Sequence, residues 1–234
     1  MPPDIAVSHA ARASWFSLRG RMLPSVTVKG ITVNYELGAA AFAERLFGFR
    51  PADDELACLA GALDGATVNV SVRVKKGWLY LAVDDPTRFE VYETSVRHDG
   101  QGELFAYIHE VRVAVGQGGQ GLGIHAFIRQ LAGAKALGVT RFELWAAGDV
   151  RDKSHNGYYT WARFGFDAPL RNEKLFRPFH LSQAQTINDV ILNGAYAWWK
   201  QHGSERSMVF DLADDSSMMA VLRAYRKEKG LPEE

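Results

Sequence analysis

The chain has 234 residues, 47% hydrophobic and 23% charged, and its 27 basic residues balance 27 acidic ones. Such a composition buries a core and is not that of a disordered chain. The charge balance lacks the basic face of a duplex-binding protein, and no run approaches the roughly 18 apolar residues of a membrane span, so neither a nucleic-acid nor a membrane partner is expected.

Residues 1–25 read as a leader, irregular or partly helical. The early Asp4 and the lack of an apolar run argue against a signal peptide, and the expected location is cytoplasmic. Val26 to Leu37 reads as a strand whose phase slips at Lys29-Gly30, as a β-bulge would cause. Two short helices follow, AAFAERLFG and DDELACLAGAL, the second with an acidic start that suits the helix dipole. Cys58, the single cysteine, sits in the second at helical spacing and reads as packing; one cysteine excludes an internal disulfide and a cysteine-based metal site. The histidines lack ligand spacing, so no metal is expected.

Val68, Val70, Val72 and Val74 alternate with polar residues and mark a half-buried strand. Lys75-Lys76-Gly77 turns the chain into a return strand, Trp78 to Val83; Phe89 to Val96 follows, then a turn from His98 to Gly102. Short turns imply an antiparallel meander. From Glu103 to Phe166 come an apolar strand, a glycine-rich loop, an amphipathic helix with Ile124, Phe127, Ile128, Leu131 and Ala134 on one face, a second strand, and a short helix closing on Gly165-Phe166. Phe166 to Pro178 is loop-rich, Leu181 to His202 reads as one long helix, and Ser207 to Leu212 as a strand. Asp214 to Ser217 offer caps for a last helix. The expected fold class is α/β (α+β): a mixed, mostly antiparallel twisted sheet with one parallel strand-helix-strand crossover. Residues 26–171 would form the main domain and 172–234 a helix-strand-helix extension, open to being a dimerising arm, a substrate lid or the rest of the sheet.

Five glycines fall within the eight residues from Gly116 to Gly123. A glycine-rich turn between strand and helix presents free backbone N–H groups and the positive end of a helix dipole to one place, a site for a phosphate or pyrophosphate. A P-loop needs Gly-Lys-Ser/Thr at the helix start, but Gly121 is followed by Leu122-Gly123. Gly116, Gly118 and Gly121 satisfy a dinucleotide-binding spacing, and Glu143 stands about 20 residues on, where a ribose-binding acid is expected. Against a dinucleotide-binding oxidoreductase, such motifs open alternating β/α domains, and here an antiparallel pattern comes first. No Gly-x-Ser-x-Gly elbow is present.

VRVAVGQGGQGLG resembles the acyl-CoA-binding signature of the GNAT superfamily of N-acetyltransferases, and WARFGF, Trp161 to Phe166, sits where that family has Tyr-x-x-x-Gly-Phe. The element order from Val26 to Phe166 is also similar to that family's. Three slots depart from the pattern: Gly118 stands for Arg or Gln, Trp161 for the Tyr, and Ser154 for the Asn, with Asn156 two residues later. The resemblance implies an acyl-CoA N-acyltransferase-like fold and acetyl-CoA as co-substrate. Its pantetheine would pair with backbone at Val113 and Val115. Its diphosphate would sit on amides from Gly118 to Gly123, with Gln117, Gly119, Gln120, Gly121, Leu122, Asn156 and Trp161 as further contacts.

An amine of pKa near 10 must lose a proton before it attacks a thioester, and Glu110, on the strand before the loop, is the candidate base. His109 would point to the opposite face of a regular strand, and His125 and His155 read as surface residues or ligand contacts. The leaving thiolate needs a donor; an indole supplies no proton at neutral pH, so Tyr158 or Tyr159 would substitute for Trp161. If neither reaches the sulfur, a catalytically idle acyl-CoA-binding or protein-interaction module is the alternative. The acceptor would be a small-molecule or protein amine, and the extension could mediate a homodimer.

Overall fold

The computed structural model describes residues 28–73, 77–152 and 154–231. The expected leader and the Lys75-Lys76 turn lie outside them. The described residues form an α/β architecture around one open seven-stranded sheet whose strands lie in sequence order. These are β1 (Thr32–Tyr35), β2 (Thr67–Arg73), β3 (Trp78–Asp84), β4 (Phe89–His98), β5 (Leu104–Val113), β6 (Arg141–Ala146) and β7 (Arg206–Asp211). Four of the six pairings are antiparallel; β1–β2 and β5–β6 are parallel. The mixed sheet matches the expected class, but it holds two parallel crossovers where one was expected. The first runs through α1 (Ala39–Phe47) and α2 (Asp53–Ala60), whose combined length lets the chain return to the same end of the sheet.

Local chemistry sets the helix bounds. Gly38 and Gly48 flank α1 in the left-handed conformation. At the start of α2 the Ala52 amide donates to Glu55 Oε2 at 2.8 Å, with Asp53 and Asp54 beside it at the positive end of the dipole. α3 (Leu122–Leu137) packs on α2 through Gly133, where a Cβ would lie 2.3 Å from the Leu59 amide nitrogen. The approach is tied by buried Gln130, whose amide donates to Leu59 O and Thr94 Oγ1 and whose Oε1 accepts from the Tyr92 hydroxyl. Cys58 is buried in this packing, and burial pushes its thiol up to about 11.

Two expected elements are corrected. The expected start at Val26 lies outside the described residues, and among them the first strand begins at Thr32: Lys29-Gly30 forms a turn, not a bulge, in which Lys29 O accepts from the Gly65 amide. The long helix expected from Leu181 to His202 is two helices, α5 (Ile187–Leu192) and α6 (Tyr196–His202). Thr186 caps α5 by accepting from the Asp189 amide, and Gly194, at φ +72°, turns the chain between the two. The apolar spacing continues across Asn193-Gly194 because both helices face one core, so periodicity alone did not reveal the break. β7 continues the sheet beside β6, and α7 (Ser217–Glu228) packs near it, so the strand of 172–234 belongs to the same sheet.

Candidate functional site

β5 and β6 part in mid-course. Their parallel pairing runs from Phe105↔Arg141 to Ile108↔Leu144 and stops there, although β5 continues to Val113. From Glu110 onward β5 is paired with β4 alone, while Trp145 and Ala146 of β6 are held by β7. Among the described residues, the β5 edge toward β6 is therefore left without a strand partner just before the glycine loop.

At the point of parting the β4–β5 register slips: Thr94 faces Ile108 and Glu93 faces Glu110, leaving His109 as the extra residue of a bulge. His109 and Glu110 are both exposed, between the inward-facing Ile108 and Val111. This corrects the expectation of opposite faces, which assumed a regular strand. The His109 ring lies 5.2 Å from Tyr80 and 4.9 Å from Tyr107, and its Nε2 is 2.8 Å from Ser95 Oγ. Glu110 is ion-paired with Arg112, which also approaches Glu90 at 3.6 Å.

The loop after Val113 is shaped by its own backbone. Ala114 donates to Arg88 O, and Gln117 donates to Ala114 O to close a turn around Gly116 at φ +83°. Gly119 and Gly121 also take left-handed φ, +81° and +77°, which bulkier residues resist. Gly121 O then accepts from the His125 amide, opening α3. Between those bonds, the amides from Gly118 to Ile124 donate to no acceptor among the described residues. No acidic residue occupies the first turn of α3, so nothing there offsets the positive end of its dipole. A Cβ at Gly118 or Gly119 would meet nothing within 4 Å, so the loop is open to a ligand. Such a run of amides suits anionic oxygens. Around it, Val113 ends β5 half-buried, Val115 lies past the strand and is 91% exposed, Gln117 is half-buried, Gln120 is exposed, and Leu122 packs on the core.

The remaining candidates stand on α4 (Gly157–Arg163) and the loop leading to it. Glycine lets that loop close on itself: a Cβ at Gly148 would lie 2.1 Å from His155 O, and one at Gly157 2.9 Å from the Ala147 amide nitrogen. Asn156 precedes α4 with its side chain exposed and making no capping bond. Asn156, Tyr158 and Tyr159 share a cavity of about 550 Å³ with Asp149, Asp152 and Lys200. The Asp152 carboxyl is held well below its usual range by the Ser154 hydroxyl and amide and by His155. Tyr158 is buried and its hydroxyl donates to Lys200 O at 2.8 Å; burial, then the charge of Asp149, pushes that hydroxyl up. Tyr159 is half-buried, 4.8 Å from the Tyr196 ring, with Lys200 Nζ 5.0 Å from its centroid. Trp161 packs edge-on against Phe127 and Phe166.

The fold thus gathers Val113 to Gly123 into one strand-loop-helix turn and Asn156, Tyr158 and Tyr159 into one cavity. No hydrogen bond or ion pair among the described residues joins Glu110 to either tyrosine. Glu143, the acid of the dinucleotide spacing, lies mid-strand and accepts from Arg141 Nε at 2.8 Å. Sequence reasoning missed the ring cluster of Trp78, Tyr80, Tyr107 and His109. Its signal was present: Trp78 and Tyr80, then Tyr107 and His109, each lie two apart on a strand and so share a face. Among the described residues no group of three acidic, histidine or cysteine side chains is set to hold a metal, and no helix is long and apolar enough to cross a membrane. No protein-family model matches this chain, and no curated protein matches it either.

Proposed function

We propose that the chain is an acetyl-CoA-dependent N-acyltransferase that transfers an acetyl group to a primary amine, on an acyl-CoA N-acyltransferase-like fold. The observation that carries this reading is the parting of β5 from β6 directly before the unpartnered amides of Gly118 to Ile124. An extended pantetheine arm finds free backbone along the β5 edge, and a diphosphate finds converging N–H donors at the start of α3. In the proposed reaction Glu110 takes a proton from the acceptor amine. The amine nitrogen bonds to the thioester carbonyl carbon, and the carbon–sulfur bond breaks. The thiolate takes a proton from Tyr159, the one of the two tyrosines whose hydroxyl is not given to Lys200 O, and the second proton leaving the nitrogen restores that hydroxyl, while Glu110 releases its proton to solvent. Isothermal titration with acetyl-CoA, followed by thiol release with a panel of amines, tests the proposal. We expect acetyl-CoA to bind and at least one amine to release thiol.

A catalytically idle acyl-CoA-binding module is the second reading, favoured by the committed Tyr158 hydroxyl and the packed Trp161. Binding of acetyl-CoA with no thiol release from any amine would select it. A dinucleotide enzyme is disfavoured by the mainly antiparallel sheet and by the Glu143–Arg141 pair. Heat from a nicotinamide dinucleotide alone would overturn the proposal.

A further inference from the structure

The segment from Arg171 to Leu181 makes an exposed surface beside the site above: Phe176 lines a second cavity that shares Asp149, Val150 and Gln201 with the one holding Tyr158 and Tyr159. The segment contains two short 3₁₀ turns, Asn172–Phe176 and Phe179–Leu181. Leu175 is 80% exposed, Phe176 68% and Phe179 92%, three large apolar side chains open to solvent, Phe176 with one face stacked on His202. Isolated exposed apolar residues need no explanation, but a cluster on one short segment marks an interaction surface.

The exposure is not that of a loose loop. Arg206, fully buried on β7, is ion-paired with Glu173, and its guanidinium also donates to Pro169 O at 3.0 Å. Arg177 donates to Ala184 O at 2.6 Å, Lys174 to Gln185 Oε1 at 2.9 Å, and Leu181 is buried in the core. The backbone is thus pinned from inside while the apolar side chains face out.

The charges identify the partner. Glu173 is the one acid between Arg171 and Leu181, and its carboxylate is turned inward and neutralised by Arg206. What remains outward is cationic: Arg171 is exposed, Lys174 and Arg177 half-buried, and the bonds of the last two given above go to neutral acceptors. We infer that this segment docks on an anionic lipid surface, with Leu175, Phe176 and Phe179 entering the headgroup boundary and the basic residues meeting lipid phosphates and carboxylates. Apolar insertion together with a basic rim is the combination that holds proteins peripherally on membranes. The exposed aliphatic Leu175 favours lipid over single-stranded RNA, whose recognition relies on ring stacking.

The test is sedimentation of the full chain with phosphatidylserine-rich vesicles and with pure phosphatidylcholine vesicles, alongside sedimentation velocity without lipid. We expect partition onto the anionic vesicles only, weakened by salt. Leu175→Ser with Phe179→Ser should lower it by about tenfold or more, since each removes a large apolar group from the boundary. Arg171→Ala should lower it roughly fivefold, the effect of one basic side chain near a charged bilayer. Both sets change exposed side chains, and an unaltered thermal melt confirms an intact fold. Equal or absent partition on the two vesicle types, or partition unchanged in the double variant, overturns the inference. A dimer that the double variant dissociates also overturns it, as the patch is then a protein interface. So does salt-sensitive binding of a single-stranded oligonucleotide without vesicle binding.

Discussion

Gly118 offers a clean probe of the amide cradle. Its φ is not left-handed, and a Cβ there would meet nothing within 4 Å, so a side chain can be added without strain or clash. Gly118→Asp and Gly118→Asn have nearly the same shape and differ by one charge. A carboxylate about 6 Å from a diphosphate bearing about two charges, at an effective dielectric near 40, repels it by about 2.8 kcal/mol, and screening at physiological salt cuts this to about 1.3 kcal/mol. That is roughly tenfold in affinity. Both variants should melt within about 0.5 kcal/mol of the parent, as exposed substitutions do. Titration calorimetry should find Asn near the parent and Asp about tenfold weaker for acetyl-CoA, with the gap closing at about 1 M salt, where the Debye length is near 3 Å. Equal affinities for Asp and Asn at low salt would refute the reasoning: no anion would then lie near that turn.

Three further outcomes follow from the geometry. Gly133→Ala places a methyl 2.3 Å from the Leu59 nitrogen, against backbone that cannot rotate away; the loss should be about 1–3 kcal/mol, read as a lower urea midpoint at unchanged slope. Glu173→Gln leaves the buried Arg206 without its counter-charge and should cost about 3 kcal/mol or more in thermal unfolding. Burial alone would raise the Glu173 carboxyl, but the Arg171 amide and Arg206 hold it below its ordinary 4.5. Its stabilisation is therefore present above pH 4.5 and lost as pH falls through the depressed folded value, so the variant should lose that part of the acid slope. Tyr158→Phe removes a donor to Lys200 O and should cost about 1 kcal/mol of stability with little change in thiol release, whereas Tyr159→Phe should slow release and leave stability nearly intact.

What could be read from the chain depended on how local its cause was. The alternating valines of β2, the acidic start of α2 and the apolar face of α3 marked those elements because side-chain period and dipole preference act within a few residues. The loop from Gly116 to Gly123 was legible for the same reason. The bulge at His109 was not: it is a mismatch of register between β4 and β5, and nothing in either strand alone records it. Nor did the sequence show that the Tyr158 hydroxyl meets Lys200 O, because that bond spans 42 residues. The break at Asn193-Gly194 was signalled by a turn dipeptide but masked by apolar spacing that continued through it.

Hydrogen exchange on the full chain, with and without saturating acetyl-CoA, tests the proposed site most directly. The amides from Gly118 to Ile124 have no acceptor among the described residues, and those of His109 to Val113 that point away from β4 meet no strand among them. The expected result is slowed exchange in both stretches on adding acetyl-CoA and none on adding a nicotinamide dinucleotide. Unchanged exchange in both stretches at saturation, or protection only elsewhere in the chain, would contradict the proposed site.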